Sequence, residues 1–210
     1  MNTKYSRENI KNFFNMEADI RNGKSVKPDW KVNVREKFWN LIKSEDKKTL
    51  LELGAGAGYD SLFFMQRGMD VTAIDLSTEM VKKCVEKNIE AYELDLYNLS
   101  SLNRKFDCVY SLNTFLYIQK NDLSGVFREI NSVLSKNGLF YMGLYGGDDI
   151  EKELVFSDVS DVPLFLIFHS KDCLKSAFRE YFEIVSFECI YLENKENFNN
   201  FYSFVLRKII

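Results

Sequence analysis

The residues best suited to chemistry fall in one run. Glu52, Gly54, Gly56 and Gly58 lie within Leu50–Asp60, and Asp75 follows in Ile74-Asp75-Leu76-Ser77. An apolar segment ends in clustered glycines, and an acidic residue closes a second apolar segment. Glycines at such a bend reach dihedrals closed to other residues and let a ligand lie against the main chain. Amides at the start of the following helix attract anionic groups. A carboxylate at Asp75 can accept from both hydroxyls of a ribose and would repel a 2′-phosphate. The pattern points to a nucleotide-type ligand over the end of a parallel sheet. The dinucleotide fingerprint G-x-G-x-x-G would put its third glycine at residue 59. That residue is Tyr59 and the third glycine is Gly58, so a pyrophosphate is harder to seat here.

These groups need elements beneath them. Strand-like runs occur at Thr49–Leu53, Asp70–Ile74, Ile89–Glu93, Phe106–Ser111 and Gly138–Tyr145, with helical segments between. Ser61–Gln66 ends at Gly68, a C-terminal cap. Ser77 is placed to cap a helix whose Met80, Val81, Cys84 and Val85 form an apolar stripe. Leu123, Val126, Phe127, Ile130, Val133 and Leu134 form another, stopped at Asn137-Gly138. Strands alternating with such helices imply right-handed β-α-β units and a parallel sheet. After a helix near 171–180, Phe182–Ile190 and Phe201–Lys208 are joined by a polar link, Glu193–Asn200, too short for a crossover helix. These two runs should pair antiparallel. Ahead of the first strand, residues 1–47 read as a polar helical extension, with Trp30, Val34, Phe38, Leu41 and Ile42 at helical spacing.

Glu52-x-Gly54-x-Gly56-x-Gly58 with Asp75 resembles the class I S-adenosylmethionine-dependent methyltransferases, over residues 48–210. Asp95-Leu96 falls where that family places an acidic residue near the adenine amino group. Phe106–Asn113 resembles its fourth strand, and Val133–Gly138 the approach to its fifth, with Asn137 where glycine is common. The resemblance implies an α/β, Rossmann-like three-layer sandwich with a mostly parallel seven-stranded sheet ending in an antiparallel hairpin. It implies S-adenosyl-L-methionine as cofactor and methyl transfer by in-line displacement. Gly54, Ala55 and Gly56 would pass under the methionine and ribose, with Glu52 beside them. Asp75 would hold the ribose, Leu76 and Met80 would flank the adenine, and Asp95 with Leu96 would bind its amino group. Asn113 would offer a backbone carbonyl to the methionyl ammonium. Trp30, Lys31 and Arg35 could close over the donor, one cation pairing with its carboxylate. Plainer readings stand beside these: Glu52 as a strand-end carboxylate satisfied by amides, Asp95 as a turn former, Met80 as core, and Lys31 and Arg35 as a solvated face.

On the acceptor side, the family builds its lid from N-terminal helices, here residues 1–47, and from insertions after strands four and five, here Thr114–Asn121 and Gly146–Ser170. Tyr117 and Tyr145 are placed to line the pocket. His169, the single imidazole, is a candidate general base alongside Tyr117, or a helix-start residue. Val162–Phe168 is strongly apolar for a loop and reads as lid, interface strand or packed core. Asn113-Thr114-Phe115-Leu116 differs from the Asn/Asp-Pro-Pro-Tyr of the branch that methylates amino groups of nucleobases and glutamine.

Net charge of −3 and no basic stripe argue against nucleic acid, so a small-molecule acceptor is expected. No run reaches the roughly 18 apolar residues of a membrane helix, and Met1–Lys11 has no apolar signal core. Membrane attachment and secretion are therefore not expected, and the cytoplasm is. Cys84, Cys108, Cys173 and Cys189 are widely spaced among apolar neighbours and read as reduced thiols. With one His, no metal site is expected. The competing readings are a non-catalytic donor-binding scaffold and an NAD-dependent oxidoreductase. Tyr59 and the antiparallel end argue against the second.

Overall fold

The computed structural model describes residues 6–23, 27–156, 159–192 and 200–209. Most of the expected Glu193–Asn200 link lies outside the described residues. Helices α1 (Arg7–Asn22) and α2 (Asp29–Ser44) precede β1 (Thr49–Leu53), α3 (Tyr59–Met65), β2 (Asp70–Asp75), α4 (Thr78–Val85) and β3 (Glu90–Glu93). Then follow β4 (Phe106–Leu112), α5 (Leu123–Val133), β5 (Leu134–Gly146), β6 (Ile150–Phe156), β7 (Ser160–Phe168), α6 (Lys171–Phe178), β8 (Phe182–Tyr191) and β9 (Asn200–Lys208). Short 3-10 segments occupy Leu96–Leu102, Thr114–Tyr117 and Lys120–Asp122.

Seven strands form one sheet in the order β3-β2-β1-β4-β5-β9-β8. The first five run parallel, β9 is antiparallel to β5, and β8 is antiparallel to β9. This is the expected Rossmann-like sheet, terminal hairpin included. Alternation along each strand divides two apolar layers. Leu51, Leu53, Val109, Phe140 and Met142 face α5 and α6, whereas Leu50, Cys108, Tyr110 and Tyr141 face α2 and α3. Each large side chain buried this way stabilises by roughly 1.5–3 kcal/mol. α2 supplies Val34, Phe38 and Ile42 to the second layer, so it packs on the sheet, whereas α1 lies over the sheet's far edge against α4.

Asn137, standing where glycine is common, adopts φ 58. Asn tolerates the left-handed region well enough to make the turn. α5 ends at Val133, ahead of the Asn137-Gly138 stop read from sequence, and β5 begins at once. The insertion 146–170 is not a loop: β6 and β7 make a separate antiparallel pair. Leu166 and Phe168 of β7 pack with Leu116 and Tyr117, which is the packed-core reading of that segment. Among the described residues, no helix is long and apolar enough to cross a membrane.

Candidate active site

Register brings the chemistry to one edge. Leu53 is level with Ile74 of β2 and Ser111 of β4, and Asp75 is level with Glu93 of β3. The glycine loop, Asp75, Asp95 and Asn113 therefore leave the sheet side by side. The sheet's connections reverse direction between β1 and β4, and a crevice at such a switch point is where open α/β sheets bind ligands.

The loop is held from below. The Ala55 amide donates to the Ile74 carbonyl at 3.0 Å, and Thr114 Oγ1 donates to the Leu53 carbonyl at 2.9 Å. Gly56 has φ 55 and open space where a Cβ would be, so its backbone faces the cleft bare. Gly58 has φ 78, and a Cβ there would meet Ile89 Cδ1 at 2.8 Å and Cys84 Sγ at 2.9 Å. Gly56 thus serves the opening and Gly58 the packing of the loop on α4.

Asp75 is 9% exposed. Its Oδ2 accepts from the Gly56 amide at 2.8 Å and its Oδ1 from the Ser77 amide at 2.9 Å. Burial pushes its carboxyl up, opposed by those two amides. The carboxylate is thereby fixed in direction, with lone pairs left for a ligand. Asp95 caps the 3-10 segment through the Tyr97 amide at 3.1 Å and pairs with Arg7 of α1. The turn-forming and cleft-lining readings of Asp95 thus hold together. The Arg7 guanidinium lies 3.4 Å from the centre of the Tyr97 ring. Asn113, at φ 64, donates its amide to Gly143 at 2.7 Å, and its Oδ1 is buried without a hydrogen-bond partner.

Together Gly54, Gly56, Asp75, Leu76, Asp95, Leu96, Asn113 and Tyr117 line one cleft of about 1020 Å³, open mouth included. Burial pushes the Tyr117 hydroxyl up to about 12, so at neutral pH it donates and does not act as a base.

Other expected residues are not in that lining. Glu52 is buried beneath the loop, where Ser61 Oγ donates to it, and burial with Asp60 nearby raises its carboxyl to about 8. The Ala55 side chain faces the small cluster of Ala73, Cys84 and Ile89. Met80 is fully buried core, its amide donated to the Ser77 hydroxyl at 3.1 Å. Trp30 packs on Phe201 and Tyr145, ring centres 4.6 and 6.3 Å away, in the layer under α2. Tyr145 shares that cluster. His169 is fully buried, with Nε2 3.2 Å from the Phe115 carbonyl and 3.1 Å from that of Ile118. Burial lowers its pKa, so the ring is neutral. Arg35, offered for a donor carboxylate, pairs instead with Asp60 at 2.7 Å and lies over Phe63.

From sequence, residues 1–47 were expected as a helical lid or extension, with no residue of α1 named for the site. Arg7, Ile10, Phe14 and Arg21 close the cleft from above. Asn15 Oδ1 accepts from Ser77 Oγ at 2.7 Å and from the Glu79 amide at 3.2 Å. Lys11 pairs with Glu93, and Lys83 of α4 pairs with Asp19 at 2.9 Å. Ile10, Phe13 and Phe14, apolar and close together in a helix rich in charged residues, were the available signal.

Residues 50–138 match the family model described as "Methyltransferase domain". A malonyl-[acyl-carrier protein] O-methyltransferase of Hamiltonella defensa is 36% identical over 95 residues, covering 44% of this chain and 36% of that protein. The chain spans 36%, 60% and 51% of the lengths of three curated relatives. An S-adenosylmethionine-dependent methyltransferase from Methanosarcina mazei has a similar structure, with TM-score 0.69, 16% identity and coverage of 78% of this chain and 93% of that one. The 1,6-didemethyltoxoflavin-N1-methyltransferase of Burkholderia thailandensis, solved with bound 1,6-didemethyltoxoflavin and S-adenosylhomocysteine, gives TM-score 0.62 and 16% identity, covering 88% of this chain and 92% of that one. The glycine loop, Asp75 and Asp95 meet at the switch point of this sheet, within the stretch that matches the domain model. Residues 50–138 are thus similar to a methyltransferase domain, and the fold is that of S-adenosylmethionine-dependent methyltransferases.

Proposed function

We propose that this protein transfers a methyl group from S-adenosyl-L-methionine to a small-molecule acceptor. The observation that carries the reading is the convergence of Gly54, Gly56, Asp75, Asp95 and Asn113 on one cleft at the switch point. The residues present fit the donor. A bare backbone at Gly56 admits close approach, the fixed carboxylate of Asp75 suits a ribose, and the unpaired Oδ1 of Asn113 suits an ammonium. When bound, S-adenosylmethionine supplies a methyl group on a sulfonium already activated for displacement. The chain's own residues then orient the partners and exclude water.

In this reading Asp75 holds the ribose, Leu76 flanks the adenine, and Asp95 with Leu96 takes the adenine amino group. Arg7 shares Asp95 with it. Ile10 and Phe14 shut out solvent, and Tyr117 donates its hydroxyl to the acceptor. An amine or other nucleophile that needs no base suits this lining best, since Tyr117 stays protonated and Asp75 is occupied. The B. thailandensis relative acts on a small heterocycle and the H. defensa relative on a carrier-bound malonyl group, so the family resemblance leaves the acceptor open. The net charge of −3 supports a small molecule over nucleic acid. All four cysteines are free thiols, in keeping with the cytoplasm.

The test is transfer of isotopically labelled methyl groups to a panel of amines, phenols, carboxylates and heterocycles, with protein and RNA fractions run beside it. Label in a small-molecule product, lost in Asp75→Ala, is the expected result. Label confined to protein or RNA would refute the acceptor class. Tight donor binding without any transfer would favour the donor-binding scaffold.

A further inference from the structure

Outside the cleft lining, three side chains distant in sequence converge. Asp149 follows β5, His169 ends β7, and Cys173 lies in the first turn of α6. A carboxylate oxygen, a ring nitrogen and Sγ of these residues lie within 4.8 Å of one another. The histidine is set for a particular task. Its Nε2 faces the carbonyl oxygens of Phe115 and Ile118, two acceptors, so that nitrogen carries the proton. Nδ1 is left with its lone pair, buried and without a partner. A buried acceptor with no donor is costly. A neutral imidazole whose other nitrogen donates to a backbone carbonyl is the arrangement of a metal-ligating histidine.

The other two ligands are also prepared. Asp149 sits at φ 58, and its carboxylate accepts from the Ser170 amide at 2.8 Å and the Ser170 hydroxyl at 3.0 Å. Those bonds orient the carboxylate and leave lone pairs on both oxygens. Positive charge is supplied from outside by Lys120, whose Nζ lies 3.1 Å from Asp149 on a side chain 59% exposed. A long exposed lysine can swing away into water at small cost.

We propose that Asp149, His169 Nδ1 and Cys173 Sγ form a three-ligand site for a divalent cation of the zinc class, with the fourth position open to solvent. Mixed oxygen, nitrogen and thiolate ligands suit zinc, whereas magnesium and calcium ask for oxygen alone. Tetrahedral bonds to zinc hold oxygen, nitrogen and sulfur ligand atoms roughly 3.3–3.6 Å apart, so three atoms within 4.8 Å of one another need only a small adjustment to close on the ion. The thiol releases its proton to solvent as the bond forms. Lys120 is the displaced cation. The site also touches the cleft indirectly. His169 anchors the Phe115 and Ile118 carbonyls, and between these lies Tyr117, so a loaded site braces that wall. The inference does not depend on what the cleft binds.

The experiment is titration of the metal-free full chain with Co2+, followed by displacement with Zn2+. A thiolate-to-cobalt charge-transfer band saturating at one equivalent is expected, bleached by Zn2+. C173S should lose the band while keeping its circular dichroism, and D149N should bind at least about tenfold more weakly. K120A, freed of the competing ammonium, should bind several-fold more tightly. Absence of the band overturns the proposal, as does a band that survives in C173S, which would point to the exposed Cys189. A K120A protein that binds no more tightly also counts against it.

Discussion

Glu52 and Asp75 end neighbouring strands, and burial raises both carboxyls, yet their surroundings differ. Asp75 is met by two backbone amides and faces the cleft. Glu52 is met by one hydroxyl and lies near Asp60, whose carboxylate is already held by Lys27 and Arg35. The consequence is a pH dependence of stability. Glu52 titrates at about 8 in the folded protein against an ordinary 4.5, so the folded state keeps a proton that the unfolded chain releases. Stability is full below about 4.5 and falls as pH rises towards about 8. The melting temperature should therefore decline across that window in the wild type and decline less steeply in Glu52→Gln. Parallel slopes in the two proteins would show that Glu52 is ionised when folded. Glu52, Gly54, Gly56, Asp75 and Asp95 were legible as a group because they follow strands that end level. The depth of Glu52 was not legible, because a strand-end carboxylate can point into the cleft or beneath the loop without changing the sequence pattern. His169 was misleading for a related reason: a lone imidazole near a lid suggests a base, and only the packed turn at 114–118 shows its Nε2 already engaged.

At the scale of elements, the junction of the glycine loop, α4 and α1 governs the cleft. Ser77 caps α4 and holds Asn15 of α1 with the same hydroxyl. Ser77→Ala should cost about 1 kcal/mol from the cap and loosen α1 as well, visible as a lowered melting temperature and faster amide exchange in 7–22. Gly58→Ala should be worse. The left-handed backbone costs roughly 1–2 kcal/mol, and the added methyl presses on Ile89 and Cys84. Unchanged stability in Gly58→Ala would mean that the loop packs differently on α4. Much of α1's hold is ionic, through Arg7–Asp95, Lys11–Glu93 and Lys83–Asp19. Salt screens exposed pairs, so amide exchange in 7–22 should quicken in about 1 M salt while β1 and β4 stay protected. The seven strands of the sheet were readable because apolar runs and turn residues punctuate them at regular spacing. β6 was not, because it reads as polar, and β7 read as lid, interface strand or packed core. A helical lid over 1–47 was expected, but which residues of α1 face the cleft was not legible, since apolar residues reveal a buried face and not which surface covers it.

The whole molecule is a sheet whose order fixes where a ligand must go. Reversal of the connections between β1 and β4 opens one crevice, β2 and β3 extend one side of it, and α1 roofs it. The antiparallel β8–β9 hairpin completes the opposite edge without reaching the cleft, and the buried layers on both faces make the cleft's floor stiff. The ligand that binds at that crevice decides the chemistry of the molecule. Calorimetric titration of the full chain with S-adenosylhomocysteine, S-adenosylmethionine and NAD, repeated with Asp75→Ala, tests directly which ligand that is. Binding of both sulfur ligands at one per chain, no binding of NAD, and at least about a tenfold loss in the variant are predicted. Binding of NAD without the sulfur ligands would contradict the account.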